Sequence, residues 1–229
     1  MSYLQNNQYR DRFKGADYMQ LKSIPNILLV GAGGIGNGVA TKLLDLGYSF
    51  TIMDGDQVEL HNCIPQGYNI SNLGQKKVDA IIRNYQDRFK VTIPLEQVHT
   101  VSEMFPCLGI IEPITISAVD SIEVRKEIFE KWREQEDRLL FLDGRMLAEF
   151  FQVFAITKEN EDWYYENYLI SDAAQSADLE VGECTNQQNS FVAGILHGTI
   201  IQKLVNYLTD KPFSKLTTYN GLVDYIFTE

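Results

Sequence analysis

Residues 27–62 read ILLVGAGGIGNGVATKLLDLGYSFTIMDGDQVELHN, and they combine a glycine-rich turn with two aspartates that are separated by one residue. Residues 26–31 predict a buried strand, because four consecutive apolar residues lie within them. Apolar residues with core-facing spacing predict a helix over 34–46, and Gly47 is a typical helix stop. Residues 48–54 predict a second strand that ends on an acidic residue.

The glycines of this stretch predict a nucleotide-binding turn. Gly31, Gly33 and Gly36 fit the G-x-G-x-x-G pattern between the predicted strand and helix. Such a turn lets the backbone approach a phosphate, and the helix N-terminus offers free N–H groups and a partial positive charge. Asp54 follows at the distance typical of an acid that binds ribose hydroxyls. The pattern does not choose between NAD, FAD and ATP, and a tight structural turn is the alternative.

The chain after residue 62 continues the alternation of strands and helices. Helices are predicted over 75–88 and 121–136, and strands over 113–119, 139–143 and 150–157, with 91–101 extended and Gly144 as a turn. This alternation predicts an α/β fold, a Rossmann-like, doubly wound, mainly parallel sheet with helices on both faces. An amphipathic helix over 190–208 belongs to a later, different region, for which we expect an antiparallel C-terminal elaboration.

Length and composition indicate an ordinary single-domain protein. The 229 residues suffice for one core, and we expect an arm over 1–25, a Rossmann-like core over 26–145 and a substrate and dimer elaboration over 146–229. No apolar run approaches the roughly 20 residues that span a bilayer, and residues 1–15 lack the apolar core of a signal peptide. We therefore expect no membrane contact and a cytoplasmic location.

Charge and cysteine content argue against two further classes of partner. The net charge is −11, and no basic stripe interrupts it, so a nucleic-acid partner is not expected. The cysteines Cys63, Cys107 and Cys184 are far apart and form no CxxC pair. This spacing predicts neither a disulfide framework nor a structural zinc site.

A longer series of motifs follows the second predicted strand, where residues 53–80 read MDGDQVELHNCIPQGYNISNLGQKKVDA. The motifs occur in the order Asp54-x-Asp56-x-Val58, Asn62, Gly74-x-x-Lys77 and Asp120 with Arg125. In order and spacing they resemble the ThiF/MoeB/HesA-like adenylyltransferase family, whose members have the ubiquitin-activating-enzyme fold. The resemblance extends from the N-terminal arm to the helix near residue 208.

The resemblance implies a reaction and a partner. It implies ATP- and Mg²⁺-dependent adenylation of a C-terminal carboxylate, with release of pyrophosphate. The substrate would be a small ubiquitin-like or sulfur-carrier protein whose C-terminus ends in glycine, and the enzyme would be a homodimer. Because this reaction brings a carboxylate to a negatively charged α-phosphate, the enzyme must neutralise charge and align the reactants.

The resemblance also assigns the site residues. It places ATP on Gly31, Gly33, Gly34, Gly36, Asp54, Asp56, Gln66 and Lys77. It assigns catalytic roles to Lys77, Asp120, Asn62, Cys184 and an arginine of the N-terminal arm, either Arg10 or Arg12, that would reach the partner subunit's site. Asp120 would be the Mg²⁺ ligand.

The residue types suit these roles, although structural alternatives exist for each. Backbone amides of the glycine turn can hold phosphate, and Lys77 supplies a cation on the first turn of a helix. Asn62 is a neutral donor for the same oxygens. Asp120 ends a predicted strand at the carboxyl edge, where open α/β sheets bind ligands. Lys77 could instead be a solvated helix charge, and Asp120 could cap the helix that follows it.

Other polar residues have two open interpretations. Asp56 is either a site residue or an exposed turn residue. Arg125 either pairs with neighbouring glutamates on its helix or reaches the site, and Arg145 either forms an internal salt bridge or binds the incoming polypeptide tail. Cys184 is either a reactive thiol near a helix N-terminus or a structural one.

Two rival functions remain open at the level of sequence. An NAD(P)-dependent oxidoreductase would share the glycine turn and Asp54, but it leaves Asn62, Lys77 and Asp120 without a role. A catalytically degenerate nucleotide-binding module is favoured by Pro65, which stands where family members usually carry an arginine before the glutamine.

Overall fold

The computed structural model describes residues 13, 15–94, 96–106, 109–170 and 189–229. The strands are β1 (Ile27–Val30), β2 (Phe50–Met53), β3 (Val98–Val101), β4 (Ile114–Ser117), β5 (Leu140–Leu147), β6 (Phe150–Ile156), β7 (Leu216–Asn220) and β8 (Tyr225–Thr228). The helices are α1 (Gly34–Leu46), α2 (Lys77–Phe89), α3 (Ile122–Arg133), α4 (Glu161–Tyr168) and α5 (Ser190–Leu208). Short 3₁₀ turns cover Asp17–Met19, Leu60–Asn62 and Ile70–Asn72.

All eight strands belong to one sheet, in the order β3-β2-β1-β4-β5-β6-β7-β8. Neighbours from β3 to β5 are parallel, and the pairs from β5 to β8 are antiparallel. The prediction of a Rossmann-like, mainly parallel sheet with an antiparallel C-terminal elaboration is therefore confirmed. The strand order reverses between β1 and β4, and ligands of open α/β sheets bind at the carboxyl ends of strands at such a point.

Helices cover both faces of the sheet, as the sequence predicts. On one face α1, α2 and α5 pack on a cluster that includes Leu29, Ile116 and Leu196. On the other face α3 and α4 bury an aromatic cluster in which the Phe129 ring lies 5.0 Å from that of Tyr164. Burial of these large side chains is the main stabilising contribution to the fold.

The prediction of a turn at Gly144 is wrong. β5 runs on through Gly144 to Leu147, and Gly144 pairs with Val153 of β6. The glycine allows the close packing of α5, since a Cβ atom at this position would lie 2.9 Å from Cδ1 of Ile200. The turn follows instead at Ala148, which has φ +51°.

The centre of the sheet and its β8 edge differ in their exposure. β1 and β4 are buried along their whole length, whereas all four residues of β8, at the outer edge, are exposed. None of the helices in the described part of the chain is long and apolar enough to cross a bilayer.

Lys203 of α5 is a buried cation that the sequence pattern does not single out. Its side chain is 4% exposed, and Nζ donates to the Ser214 carbonyl oxygen at 2.5 Å and to Ser214 Oγ at 2.7 Å. Both acceptors are neutral, and burial lowers the pKa of Lys203 to about 8. The ammonium ion ties α5 to the segment that leads into β7.

The free energy of unfolding should rise with pH between pH 8 and about 10 because of Lys203. The pKa of Lys203 is about 8 in the folded state and 10.5 ordinarily, so the unfolded state binds more protons in this pH range. Raising the pH therefore destabilises the unfolded state relative to the folded state. Urea unfolding from pH 7.5 to 10 measures the slope. Lys203→Met should reduce it, and Lys42→Met, at an exposed position, should not. Equal slopes in both variants would contradict this assignment.

Candidate nucleotide-binding site

Two glycines of the turn are required by close backbone packing. Gly31 follows β1 with φ +98°, and a Cβ atom there would lie 2.6 Å from the carbonyl oxygen of Ala118. A Cβ atom at Gly36 would overlap the carbonyl oxygen of Gly31. These contacts bring the start of α1 against the ends of β1 and β4.

Gly33 differs, because packing within the protein does not require it. It is the N-cap of α1 with φ −69°, and a Cβ atom there would have no heavy atom of the described residues within 4 Å. The first N–H groups of a helix have no intrahelical acceptor and carry a partial positive charge. Gly33 therefore leaves open space at the start of α1, where the first N–H groups of the helix are available to a phosphate.

Asp54, directly after β2, is held by the backbone on both sides. Its Oδ2 accepts the N–H of Ala32 at 2.7 Å, and its Oδ1 accepts the N–H of Asp56 at 2.8 Å. A carboxylate oxygen can accept more than one hydrogen bond, so each retains acceptor capacity. The carboxylate is thus fixed beside the glycine turn, where the predicted ribose contact would be made.

Lys77 is the first residue of α2, and Lys76 precedes it as the N-cap. The Lys77 side chain is 8% exposed, and Nζ lies 2.8 Å from Oδ2 of the more exposed Asp56. The structure brings these two predicted site residues together, but as an ion pair. An ammonium group has three donors, so Lys77 can donate to a further acceptor while it keeps Asp56.

The loop after β2 folds back onto the glycine turn. Asn62 is buried, and its Oδ1 accepts the N–H of Glu59 at 2.8 Å, which closes a 3₁₀ turn. The carbonyl of Gln66 accepts Nδ2 of Asn37 from α1 at 2.6 Å. Oε1 of Gln66 is buried and has no hydrogen-bond partner among the described residues. Gln66 therefore lies against the start of α1, whereas the side chain of Asn62 stabilises its own loop.

Tyr68 is a residue of this loop that the sequence analysis missed. Its side chain is buried, and its hydroxyl donates to the carbonyl oxygen of Ala32 at 2.5 Å. Burial, with a smaller effect of Asp54, raises the pKa of Tyr68, so the hydroxyl stays protonated and remains a donor. Its sequence signal is slight, an aromatic residue in a loop that is otherwise mostly polar.

Asp120 follows β4 at the carboxyl edge of the sheet and is exposed. The alternative that it caps α3 is wrong, because Ser121 is the N-cap and its Oγ accepts the N–H of Val124 at 3.2 Å. Within the described ranges the Asp120 carboxylate has no hydrogen-bond or ion-pair partner. Mg²⁺ is commonly held by one or two carboxylates together with substrate phosphates and water, and a lone, unpaired carboxylate fits that donor set.

No group of three or more His, Cys, Asp or Glu side chains with metal-binding geometry occurs in the part of the chain that the structure describes. Cys63 is a buried free thiol whose Sγ lies 3.8 Å from the carbonyl oxygen of Glu59. The roles assigned to Arg10, Arg12 and Cys184 concern positions outside the described residues, and Cys107 also lies outside them.

Arg125 and Arg145 meet at one buried carboxylate. Arg125 pairs with Asp143 of β5, and Arg145 Nε lies 2.7 Å from Oδ2 of the same residue. Tyr164 donates to Asp143 at 2.8 Å and accepts from Arg145 at 3.0 Å. Burial alone would raise the pKa of Asp143, but the two guanidinium groups lower it below its usual range. Arg145 therefore forms an internal salt bridge, which was one of its two interpretations. Arg125 pairs with Asp143 and not with the glutamates of its own helix.

His197 supports the glycine turn from α5. Its Nε2 lies 2.9 Å from the carbonyl oxygen of Gly34, and since that oxygen only accepts, Nε2 carries the proton. Burial lowers the pKa of His197, so the ring is neutral at pH 7. A Cβ atom at Gly38 would collide with this ring, which explains the extra glycine in α1.

The fold is Rossmann-like, and the glycine turn is its candidate nucleotide-binding site. The chain belongs to the ThiF family, whose model matches residues 5–227. No curated protein matches the chain in sequence.

Solved structures confirm the fold. Escherichia coli MccB with ATP has a TM-score of 0.67 at 14% identity, and the match covers 93% of this chain and 65% of MccB. Microcin C7 biosynthetic enzyme MccB with N-formylated MccA has a TM-score of 0.70 at 14% identity, over 100% of this chain and 73% of that one. PaaA has a TM-score of 0.71 at 18% identity, over 93% of this chain and 74% of PaaA. The chain thus spans about two thirds of MccB.

Substitution of the two contrasting glycines should affect stability differently. Gly36→Ala places a methyl group against the backbone of Gly31, and we expect a loss of at least about 3 kcal/mol in the free energy of unfolding. Gly33→Ala fills open space at an N-cap and should cost no more than about 1 kcal/mol. Urea unfolding of both variants measures the difference, and equal losses would contradict the packing role of Gly36.

Proposed function

We propose that the protein is an adenylyltransferase that binds ATP with Mg²⁺ and activates a C-terminal carboxylate. The observation that carries this proposal is the shared position of the open turn at Gly33, the fixed carboxylate of Asp54 and the exposed carboxylate of Asp120. All three follow β1, β2 or β4 at the carboxyl edge of the sheet, beside the point where the strand order reverses. Membership of the ThiF family supports the same reaction.

The proposed reaction forms one bond and breaks one. A carboxylate oxygen of the substrate attacks the α-phosphorus of ATP, the bond to the β-phosphate oxygen breaks, and pyrophosphate leaves. Backbone N–H groups at Gly33 and Gly34 would hold the phosphates, and Asp54 would accept the ribose hydroxyls. Lys77 would donate to the phosphate oxygens, so that two anions can approach each other.

Asp120 would hold Mg²⁺ together with the phosphates of the nucleotide. The ion would supply positive charge that stabilises the departing pyrophosphate. Asp56 would remain the partner of Lys77 and keep its ammonium group in place, since their Nζ–Oδ2 distance is already 2.8 Å. Asn62 and Gln66 would complete the nucleotide side of the site, and an arginine of the N-terminal arm, Arg10 or Arg12, would act from the other subunit of a homodimer.

We propose a small ubiquitin-like or sulfur-carrier protein with a C-terminal glycine as the substrate. The substrate class is inferred from the motif series of this chain. Structures of MccB contain MccA, so a peptide is the alternative substrate that an experiment must include. The protein would act as one domain over residues 1–229, in the cytoplasm, and Cys184 would be the residue to test for any later thioester.

A catalytically degenerate nucleotide-binding module is the second candidate function. Pro65 stands in the loop where family members usually carry an arginine, and Lys77 already has Asp56 as its partner. Such a protein would bind ATP without forming an adenylate. The two functions differ in pyrophosphate exchange and not in ATP affinity.

Exchange of radiolabelled pyrophosphate into ATP tests the proposed reaction. We expect exchange in the presence of a sulfur-carrier protein that ends in Gly-Gly, and none with the same carrier after deletion of the two glycines. Exchange with MccA alone, as the peptide probe, would retain adenylation but exclude the carrier class. ATP binding without exchange with any of these probes would support the degenerate module.

Substitution of Lys77 tests the nucleotide site itself. Lys77→Met should weaken ATP binding by about tenfold or more, because a charge-assisted hydrogen bond to phosphate is lost. Lys76→Met is the matched control, since its Nζ donates to the carbonyl oxygen of Gly55 at 2.6 Å. Calorimetric titration with ATP measures both affinities. An affinity loss that is equal in the two variants would contradict a phosphate contact by Lys77.

A further inference from the structure

The turn between β4 and α3 contacts the glycine turn and also carries Asp120. Its first residue, Ala118, places its carbonyl oxygen against the glycine turn at Gly31. Its third residue, Asp120, carries the carboxylate that would hold Mg²⁺. Between them, the carbonyl oxygen of Val119 accepts a hydrogen bond from Arg125. The position of the metal carboxylate thus depends on how firmly this short turn is held.

Arg125 reaches the turn from the first turns of α3. Its side chain is 5% exposed. Nη2 donates to the carbonyl oxygen of Val119, while Nη1 donates to Oδ1 of Asp143 and lies 3.3 Å from the carbonyl oxygen of Gly144. One rigid, planar group therefore joins the β4–α3 turn to two consecutive residues of β5. Because this guanidinium group is buried and bonded to three acceptors, we expect it to act through the turn and not by contact with a ligand.

The anchor of Arg125 is itself fixed. Asp143 is fully buried, and its other oxygen accepts hydrogen bonds from Arg145 and Tyr164 at 2.7 and 2.8 Å. Arg145 also donates to the carbonyl oxygen of Tyr168 at 3.2 Å, so it ties the network to α4 and not to the turn. Arg125 and Arg145 share one carboxylate, but only Arg125 extends from it to the metal-binding edge.

We propose that Arg125 is a positioning residue that fixes the Val119–Asp120 turn and thereby sets the Mg²⁺-dependent part of nucleotide affinity. The proposal rests on the proposed function, in which Asp120 holds the metal ion. Loss of the bond to Val119 would leave Asp120 chemically intact but no longer held at a defined distance from the phosphates. Nucleotide contacts that do not involve the metal, at Gly33 and Lys77, would be unaffected.

The test compares Arg125→Lys with Arg145→Lys in the full chain. Lysine keeps the positive charge beside Asp143, but a single ammonium group cannot reproduce a planar guanidinium that spans three acceptors. Both variants disturb the same buried network and should lose stability. Two readouts separate them, namely amide hydrogen exchange of residues 118–121 in the nucleotide-free protein, and the ratio of ATP dissociation constants in EDTA and in Mg²⁺.

We expect Arg125→Lys to accelerate exchange at residues 118–121 by about tenfold and to reduce the ratio of dissociation constants at least about fivefold, while ATP affinity in EDTA stays within about twofold of the wild type. Arg145→Lys should leave both readouts within about twofold of the wild type. Asp143→Asn, which keeps the shape of the anchor and removes its charge, should change both readouts in the same direction as Arg125→Lys and by less. It replaces Arg125→Lys if that variant does not fold.

Unchanged exchange and unchanged Mg²⁺ dependence in Arg125→Lys would overturn the proposal. Equal changes in Arg125→Lys and Arg145→Lys would also overturn it, because the network would then act only through overall stability. A wild-type protein whose ATP affinity is the same in EDTA and Mg²⁺ would instead refute the metal part of the proposed function. Amide hydrogen exchange would then test only whether Arg125 fixes the turn. In Arg125→Lys, exchange at residues 118–121 as slow as in the wild type would refute this role, and faster exchange would support it.

Discussion

The close packing of Gly36 on the carbonyl oxygen of Gly31 is the contact on which the rest of the site depends. No side chain fits between them, so the N-terminus of α1 lies directly over the ends of β1 and β4. Among the described residues, none has a heavy atom within 4 Å of where a Cβ atom of Gly33 would lie. A steric constraint inside the fold thus produces a donor-rich opening where a phosphate can bind.

Two of the charged side chains around this opening are held in place by the protein itself. Asp54 is held by backbone N–H groups and Lys77 by Asp56, so neither the acid nor the cation depends on a nucleotide for its position. Asp120 differs, since its carboxylate has no partner in the described part of the chain. In a protein with a net charge of −11, the proposed binding of a polyphosphate would depend on local donors and on Mg²⁺ and not on the overall field.

The sequence predicts the fold well because its signals are local. The apolar run of β1, the glycine turn and the helix stop at Gly47 lie close together in the chain, and α1 has the predicted bounds. The error at Gly144 has a non-local cause, the packing of α5 against β5. The partners of Lys77 and Arg125 were likewise unpredictable, because Asp56 and Asp143 meet them only through the tertiary fold. The buried positions of Tyr68 and Lys203 have no periodic pattern that would reveal them.

Calorimetric titration of the wild-type protein with ATP and with NADH, each with and without Mg²⁺, tests the central claim most directly. Both nucleotides suit a glycine turn with an acid after β2, but only ATP gives Asp120 and Lys77 a triphosphate and a metal ion to bind. The account predicts ATP binding that is strengthened by Mg²⁺ and weaker binding of NADH. Tighter binding of NADH that is indifferent to Mg²⁺ would contradict the account and favour an oxidoreductase.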